Sequence, residues 1–443
     1  MHRPFQTITA GVLAFGVLAT GTSLAFASSS QHRTVAQVNL VMAVRWTGAP
    51  AHAVATLLQM YEKTHPGVHV ILQEGVTSQK LLAEVAAGNP PNVAMLNTTN
   101  YVPTFAAKGA ILYLQPFIQR SHLNMNQFTP ASLYSNSLLG HQYAMPFFED
   151  TYAMYYNKTL LAKAGIHQPP QTLQQLLADA RKTTILGRNG QYSQLGFEPS
   201  FVKSSEAYLF GGRWASPAGQ LTATSPAVVK GETWLVNYWH MFGPSKVERF
   251  ISSNAGAPSS LDPFTSGKVA MMISGEWYMP NIIQEAPHMN YGVAPIPYPA
   301  GYPQYEGTGS VGGNPLVIPK GASNVTASWN LIDWFTTTGE KLGVQPKLFS
   351  EILAVPALKS LVNDPRLAPN PQMAFFWKYS EGNNVIPFPA IPDSTTLSAA
   401  LDSNLQLAQL GKESVKQALQ NVQNQYGALI ANDLKTWRAS FTP

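Results

Sequence analysis

The sequence of 443 residues has 28 Lys and Arg against 23 Asp and Glu, so its formal net charge is +5, and charged residues make up only 12% of it. Because this excess comes from scarce carboxylates and no dense block of basic residues occurs, nucleic-acid binding is not expected. With 0 cysteines the chain has no disulfides, and the scarcity of Asp and Glu is open to two explanations, an acidic habitat or compositional drift.

Residues 1–27 are typical of a secretory signal peptide. A basic start at His2 and Arg3 precedes the uncharged stretch 8–18, and the small-residue pattern Ala25-Phe26-Ala27 marks a cleavage site. We therefore expect a mature protein that is secreted across the cytoplasmic membrane and lies in the periplasm or outside the cell. Because no cysteine is present, we expect no lipid anchor.

The first part of the mature chain alternates predicted strands and helices. Apolar runs at 38–44, 68–72 and 93–96 predict strands, and apolar residues at helical spacing predict helices over 51–63 and 79–87. Strand, helix, strand, helix, strand indicates a parallel sheet with right-handed crossovers.

Polar and aromatic side chains follow the ends of these strands. Trp46 follows the first strand, and Asn97 and Asn100 follow the third. Since the carboxyl ends of parallel strands face the ligand crevice of an open sheet, we expect the three to meet there. The alternative is that each is a loop residue or a helix cap.

The middle of the chain adds more candidate residues. Glu149 and Asp150 are neighbours before an aromatic strand, and such neighbours point to opposite faces, so they do not indicate a catalytic carboxylate pair. Glu198 ends another predicted strand, and Trp214 places an indole on a glycine-rich turn.

The stretch 266–283 combines a carboxylate with an indole. Its apolar run 269–273 predicts a buried strand, so Glu276 and Trp277 lie on a strand-to-helix turn at the ligand edge of the sheet. A flat apolar ring beside a hydrogen-bond acceptor suits a sugar. The alternative is a core tryptophan beside a surface glutamate.

Length and a glycine- and proline-rich segment predict two domains. The roughly 415 residues left after cleavage exceed what one core usually serves. Residues 291–319, which include Asn314, read as strands and tight turns that cross between domains. With a further crossing near 148, we predict an N-terminal lobe of 38–148 plus 297–352 and a C-terminal lobe of 149–296 plus 353–443.

Motifs of metal or nucleophilic catalysis are absent from the sequence. There is no Gly-x-Ser-x-Gly elbow, no phosphate-binding glycine loop and no His-Glu-x-x-His, and the 10 histidines are scattered. We therefore expect neither a metal nor a cofactor.

Four stretches, in this order and spacing, resemble the extracellular solute-binding proteins of carbohydrate ABC importers, family 1, the group that includes maltose-binding protein. They are LLQMYEKTHPGV (57–68), AAGNPPNV (86–93), YYNKTLLAKAG (155–165) and GKVAMMISGEW (267–277). The resemblance implies a periplasmic-binding-protein-like fold, with two α/β lobes joined by a hinge. It also implies that a sugar is held in the interlobe cleft and that hinge closure presents the loaded form to a membrane permease.

The resemblance also implies roles for single residues. Trp277 matches the family's stacking tryptophan, and Asp150 and Glu198 match carboxylates that hydrogen-bond sugar hydroxyls. Asn97 and Asn100 stand where maltose-binding protein has a tryptophan and an aspartate, and the C-terminal lobe has no second aromatic at 392–396. These departures favour a saccharide other than maltodextrin.

The sequence thus predicts a secreted, monomeric sugar receptor that is not an enzyme. One alternative is a receptor for glycerol phosphate or another anionic polyol, for which Arg45 and Arg213 are the cationic candidates. The other is a secreted glycan-active hydrolase. The predicted ligand contacts are Trp46, Asn97, Asn100, Asp150, Glu198, Trp214, Glu276, Trp277 and Asn314.

Overall fold

The computed structural model describes residues 37–199, 205–254, 262–361, 364–367, 370–382 and 384–441. All of them belong to one compact unit, Gln37–Pro443. The predicted signal peptide and its cleavage site lie outside the described residues.

The described residues form 15 strands and 16 α-helices, numbered here in chain order. The strands are β1 (Val38–Ala43), β2 (Val68–Gln73), β3 (Val93–Met95), β4 (Ser137–Leu138), β5 (His141–Gln142), β6 (Met145–Glu149), β7 (Tyr152–Asn157), β8 (Ile185–Leu186), β9 (Tyr192–Glu198), β10 (Val269–Gly275), β11 (Tyr291–Ala294), β12 (Gly309–Val311), β13 (Asn314–Val317), β14 (Val355–Pro356) and β15 (Val385–Pro387). The helices are α1 (Ala49–Thr64), α2 (Ser78–Ala86), α3 (Tyr101–Ala107), α4 (Gln115–Arg120), α5 (Pro130–Ser135), α6 (Lys158–Lys163), α7 (Leu173–Thr183), α8 (Glu206–Leu209), α9 (Pro226–Phe242), α10 (Pro244–Asn254), α11 (Met279–Glu285), α12 (Val325–Thr336), α13 (Val344–Ile352), α14 (Pro371–Ser380), α15 (Ser394–Gln409) and α16 (Val415–Ser440).

The first sheet has six strands in the order β14-β6-β13-β3-β1-β2. Its β1, β2 and β3 are parallel, which confirms the prediction made from their alternation with helices. The strands added later, β13, β6 and β14, pair antiparallel with their neighbours. Apolar side chains of α1 at helical spacing, including Val54, Leu57 and Tyr61, are almost fully buried in the core beside this sheet.

The second sheet has five strands in the order β11-β7-β10-β9-β8. Here β9 and β10 are parallel, whereas β7 is antiparallel to both of its neighbours. Helices α6, α7 and α10 pack against its strands, as α1 and α12 do against the first sheet. The two sheets with their helices are the two α/β lobes that the sequence predicts.

The chain crosses between the sheets at two places. It leaves β6 and enters β7 through Asp150 and Thr151, and it returns between β11 and β13, close to the predicted positions 148 and 296. The sequence assigns residues 355–356 to the C-terminal lobe, but these residues form β14, which pairs with Glu149 and Phe148 of β6 in the first sheet. This pairing satisfies backbone groups on β6 that would otherwise form an open edge. The lobe boundaries themselves stay a prediction.

In the described part of the chain, no helix combines the length and apolar character needed to cross a bilayer.

Candidate functional site

The turn that follows β10 presents Trp277. After Gly275 the chain makes a single 3-10 turn, Glu276–Tyr278, and enters α11, as the sequence predicts. The half-buried indole folds back over Gly275 so closely that a Cβ there would lie 1.8 Å from a ring carbon. Tyr152 meets the indole edge-on, with ring centroids 5.0 Å apart at 84°. Glycine at 275 and the ring of Tyr152 therefore fix the orientation of Trp277.

Behind this indole, Glu276 forms a buried carboxyl pair with Asp150. Glu276 is only 1% exposed, and its Oε2 accepts a hydrogen bond from the backbone N–H of Thr151 at 2.9 Å. Burial raises the pKa of Glu276 well above its usual range, and the negative charge of Asp150 raises it further. In the hydrogen bond between the two carboxyl groups, Glu276 is the donor, because this bond raises the pKa of Glu276 and lowers that of Asp150. The alternative from the sequence was a core tryptophan beside a surface glutamate. The structure shows the opposite, because Glu276 is buried and Trp277 is partly exposed.

Asp150 lies where the chain crosses between the sheets, and it is partly exposed. Burial raises its pKa, while the positive charge of Arg45 and the hydrogen bond with Glu276 lower it. Its backbone oxygen accepts from Gly312 N at 2.9 Å. Trp46, next to Arg45, stacks on Phe148 with ring centroids 5.5 Å apart. The loop after β1 therefore lies beside Phe148 and Asp150.

The side chains of Asn97 and Asn314, both predicted to contact the ligand, form hydrogen bonds within the protein. The Oδ1 of Asn97 accepts from the N–H and the hydroxyl of Ser78, both at 3.2 Å, at the start of α2. Asn314 is 1% exposed and donates from Nδ2 to the backbone oxygens of Leu96 and Asn97. Their side chains thus hold the loop after β3 in place, which was the alternative for Asn97.

Asn100 precedes α3 and is half-buried. Its backbone oxygen accepts from the hydroxyl of Ser394 at 3.0 Å. Among the described residues its side-chain amide has no hydrogen-bond partner, and it makes no cap to α3. The amide of Asn100 is therefore still able to bind a ligand.

Glu198 and Trp214 lie in other surroundings. Glu198 lines a cavity of about 240 Å³ with Phe250, Asp262 and Phe264, and the described lining does not include Asp150 or Trp277. Trp214 is 1% exposed within the hydrophobic core, although it contributes to the wall of a larger cavity. The sequence placed Glu198 at a strand end and Trp214 on a glycine-rich turn, but tertiary packing decides how each side chain is enclosed.

The larger cavity has a volume of about 480 Å³. Its wall comes from α5, the loop 213–217 and the segment 385–389. Tyr134 and Tyr208 belong to this wall, and sequence reasoning missed both because they lie within short helices and follow no strand end. The Tyr134 hydroxyl accepts from Ala390 N at 3.3 Å, and the Tyr208 hydroxyl donates to the oxygen of Pro387 at 3.4 Å.

Two connections join this cavity to the carboxyl pair. The hydroxyl of Thr129, which caps α5, donates to Glu149, the residue before Asp150. On the other side, β15 pairs with β12, and Val311 of β12 bridges to Thr151. The two connections thus link elements of the cavity wall to Glu149 and Thr151, the residues on either side of Asp150 in the chain.

The described residues contain no cluster of three or more His, Asp or Glu side chains suited to hold a metal ion.

Comparisons with known proteins converge on one family. The model of the bacterial extracellular solute-binding proteins matches residues 47–342. The solved structure of CpMnBP1 with mannobiose bound is 28% identical, with a TM-score of 0.76 over 88% of this chain and 99% of that one. The maltotriose-binding protein of Pyrococcus abyssi is 23% identical over 71% of this chain and 66% of its own length. The sn-glycerol-3-phosphate-binding periplasmic protein of Escherichia coli is 26% identical over 62% of this chain and 64% of its own length.

Proposed function

Because the chain belongs to the bacterial extracellular solute-binding protein family, we propose that it captures a sugar outside the cytoplasmic membrane and delivers it to the permease of an ABC importer. The observation that carries this proposal is the oriented indole of Trp277 beside the Asp150–Glu276 pair. The similarity to CpMnBP1 with mannobiose bound supports a saccharide as the solute.

Trp277, Asp150 and Glu276 have different roles in binding a sugar ring. Trp277 stacks on the C–H face of the ring, because Gly275 and Tyr152 hold the indole in one orientation. Asp150, which is partly exposed, accepts hydrogen bonds from sugar hydroxyls. Glu276 is enclosed and acts through Asp150, to which it gives a hydrogen bond that fixes the carboxylate.

Further residues and movements belong to the same proposal. The amide of Asn100 and the indole of Trp46 complete the N-terminal side of the site. Glu198 accepts a hydrogen bond from a sugar hydroxyl that reaches the separate cavity of about 240 Å³ that it lines. Closure of the lobe 149–296 plus 353–443 on the lobe 38–148 plus 297–352 encloses the sugar and creates the surface that the permease binds. The receptor is a secreted monomer without a lipid anchor.

A hydrolase is disfavoured by the geometry of the carboxyl pair. Glycosidases separate their two carboxyl groups by roughly 5 to 9.5 Å so that a sugar bond and a water fit between them. Asp150 and Glu276 are instead hydrogen-bonded to each other. The Asp150–Glu276 pair therefore lacks the spacing of a glycosidase pair, which supports the proposal that the protein binds its sugar and releases it unchanged.

A thermal-shift screen over neutral and acidic mono- and oligosaccharides tests the proposal. A cognate sugar at one hundred times its dissociation constant should stabilise the folded state by about 2.7 kcal/mol, and therefore raise the melting temperature. The same panel, incubated with the protein and assayed for reducing ends, should remain intact. Absence of any stabilising saccharide would contradict the proposal, and release of reducing ends would favour the hydrolase.

A further inference from the structure

The cavity of about 480 Å³ is lined by one cationic side chain and, among its described residues, by no carboxylate. The cation is Arg213, on the loop after α8. A volume of this order fits a small ligand, and the exposed Tyr134 and the almost fully buried Tyr208 and Trp214 share its wall with Arg213. Such a wall combines aromatic residues with a positive charge.

Among the described residues, Arg213 has one hydrogen-bond acceptor. Its Nη1 donates to the backbone oxygen of Gly212 at 2.8 Å, and its guanidinium carbon lies 6.0 Å from the centroid of the Tyr208 ring. In the described structure it forms no ion pair with a carboxylate. Since a guanidinium has five N–H donors arranged as a fork, at least one edge remains to bind a planar or tetrahedral anion.

No charged carboxylate of the described residues pairs with Arg213. Glu232 is near Tyr208, but burial raises the pKa of Glu232, with the charge of Asp402 adding to the effect, so that it stays protonated and uncharged in acid. Arg45, the other cationic candidate, differs in this respect, because the negative charge of Asp150 faces it. An anionic ligand would therefore gain more from Arg213 than from Arg45.

We propose that this cavity is a subsite for the acidic group of the solute, so that the protein takes up an anionic saccharide whose carboxylate or phosphate binds the Arg213 guanidinium. The inference rests on the proposed function and narrows it to acidic sugars. The carboxyl pair and Trp277 hold one sugar ring, and the cavity, whose wall is linked to Glu149 and Thr151, holds the ring or substituent that carries the charge.

Titration calorimetry at low salt with matched ligand pairs tests this subsite. The pairs are glucose and glucuronate, galactose and galacturonate, mannose and mannuronate, and cellobiose and cellobiouronate, together with glucose 6-phosphate and sn-glycerol 3-phosphate. We expect an acidic member to bind roughly tenfold more tightly than its neutral partner, or better, because a charge-assisted bidentate contact is added. Arg213→Gln should remove this preference, whereas Arg188→Gln, which removes an exposed charge outside the cavity lining, should keep it.

The outcomes separate the subsite from the function on which it depends. A preference for uronates identifies the acidic group as a carboxylate, and a preference for the phosphates identifies it as a phosphate. Neutral partners that bind as tightly as acidic ones, or an acidic preference that survives Arg213→Gln, overturn the subsite and leave the sugar receptor intact. If no saccharide binds in either charge state, the proposed function itself fails. Melting temperatures of both variants should match that of the unaltered protein, since both arginines are exposed.

Discussion

Replacing Trp277 with alanine is expected to weaken sugar binding roughly ten- to hundredfold, because stacking and burial of the indole together contribute about 1 to 3 kcal/mol. The free energy of unfolding should change less, since the indole is only half-buried and packs on Gly275 and Tyr152 at the surface of its lobe. Calorimetric titration with the sugar found by the screen, and urea unfolding of the same variant, measure the two quantities.

Trp334 provides the matched control. It is 4% exposed in the core and contacts Tyr61 and Phe335 edge-on. Trp334→Ala should lower the free energy of unfolding by about 3 to 5 kcal/mol, with little change in the affinity of the molecules that remain folded. If Trp277→Ala behaves like this control and keeps the affinity of the unaltered protein, Trp277 is a packing residue and not a ligand contact.

The free energy of unfolding should fall as the pH rises from about 4.5 to about 7. Burial raises the pKa of Glu149 from 4.5 to about 7, and burial together with the charge of Glu232 raises that of Glu206 well above its usual range. In this window the folded chain holds protons that the unfolded chain has released, so each such group lowers stability by about 1.4 kcal/mol per pH unit. Glu149 alone accounts for about 3 kcal/mol.

A pair of conservative substitutions tests the origin of this pH dependence. Glu232 is 0% exposed, and Glu232→Gln removes one buried proton while keeping the shape of the side chain, so the loss of stability with pH should become shallower. Glu351→Gln makes the same atomic change on the exposed face of α13 and should leave the pH dependence as it is. Calorimetric melting of the unaltered protein and both variants at pH 4, 5.5 and 7 measures the change of stability with pH. A stability that stays level or increases over this range would show that the carboxyl groups are solvated.

The expected pH dependence bears on why the sequence contains few Asp and Glu residues. The sequence alone left an acidic habitat and compositional drift as two open explanations. Burial raises the pKa values of Glu149, Glu206 and Glu232, and the greater stability in acid that we expect from them is what an acidic habitat would require.

Local sequence patterns were sufficient for the architecture of the first sheet and for the turn at Trp277. The helical and strand periods of residues 38–96 appear in the structure with nearly the predicted bounds, because apolar spacing decides which face of each element is buried. Gly275 ends β10, so the sequence was sufficient to place Trp277 on the turn that follows this strand.

The side-chain environment of the site was less predictable. Trp214 lies on a glycine-rich turn and yet is buried, because packing with other elements encloses it. The pairing of Glu276 with Asp150 joins positions 126 residues apart, and the Tyr134 and Tyr208 hydroxyls reach partners about 180 to 256 positions away in the chain. Such contacts depend on tertiary structure and leave no local signal.

A crystal structure of the protein with the saccharide that binds most tightly tests the central claim most directly. We expect one sugar ring to lie against the indole of Trp277, with a hydroxyl within hydrogen-bonding distance of the Asp150 carboxylate and Glu276 still enclosed behind it. A saccharide bound elsewhere, with neither Trp277 nor Asp150 in contact with it, would contradict the account.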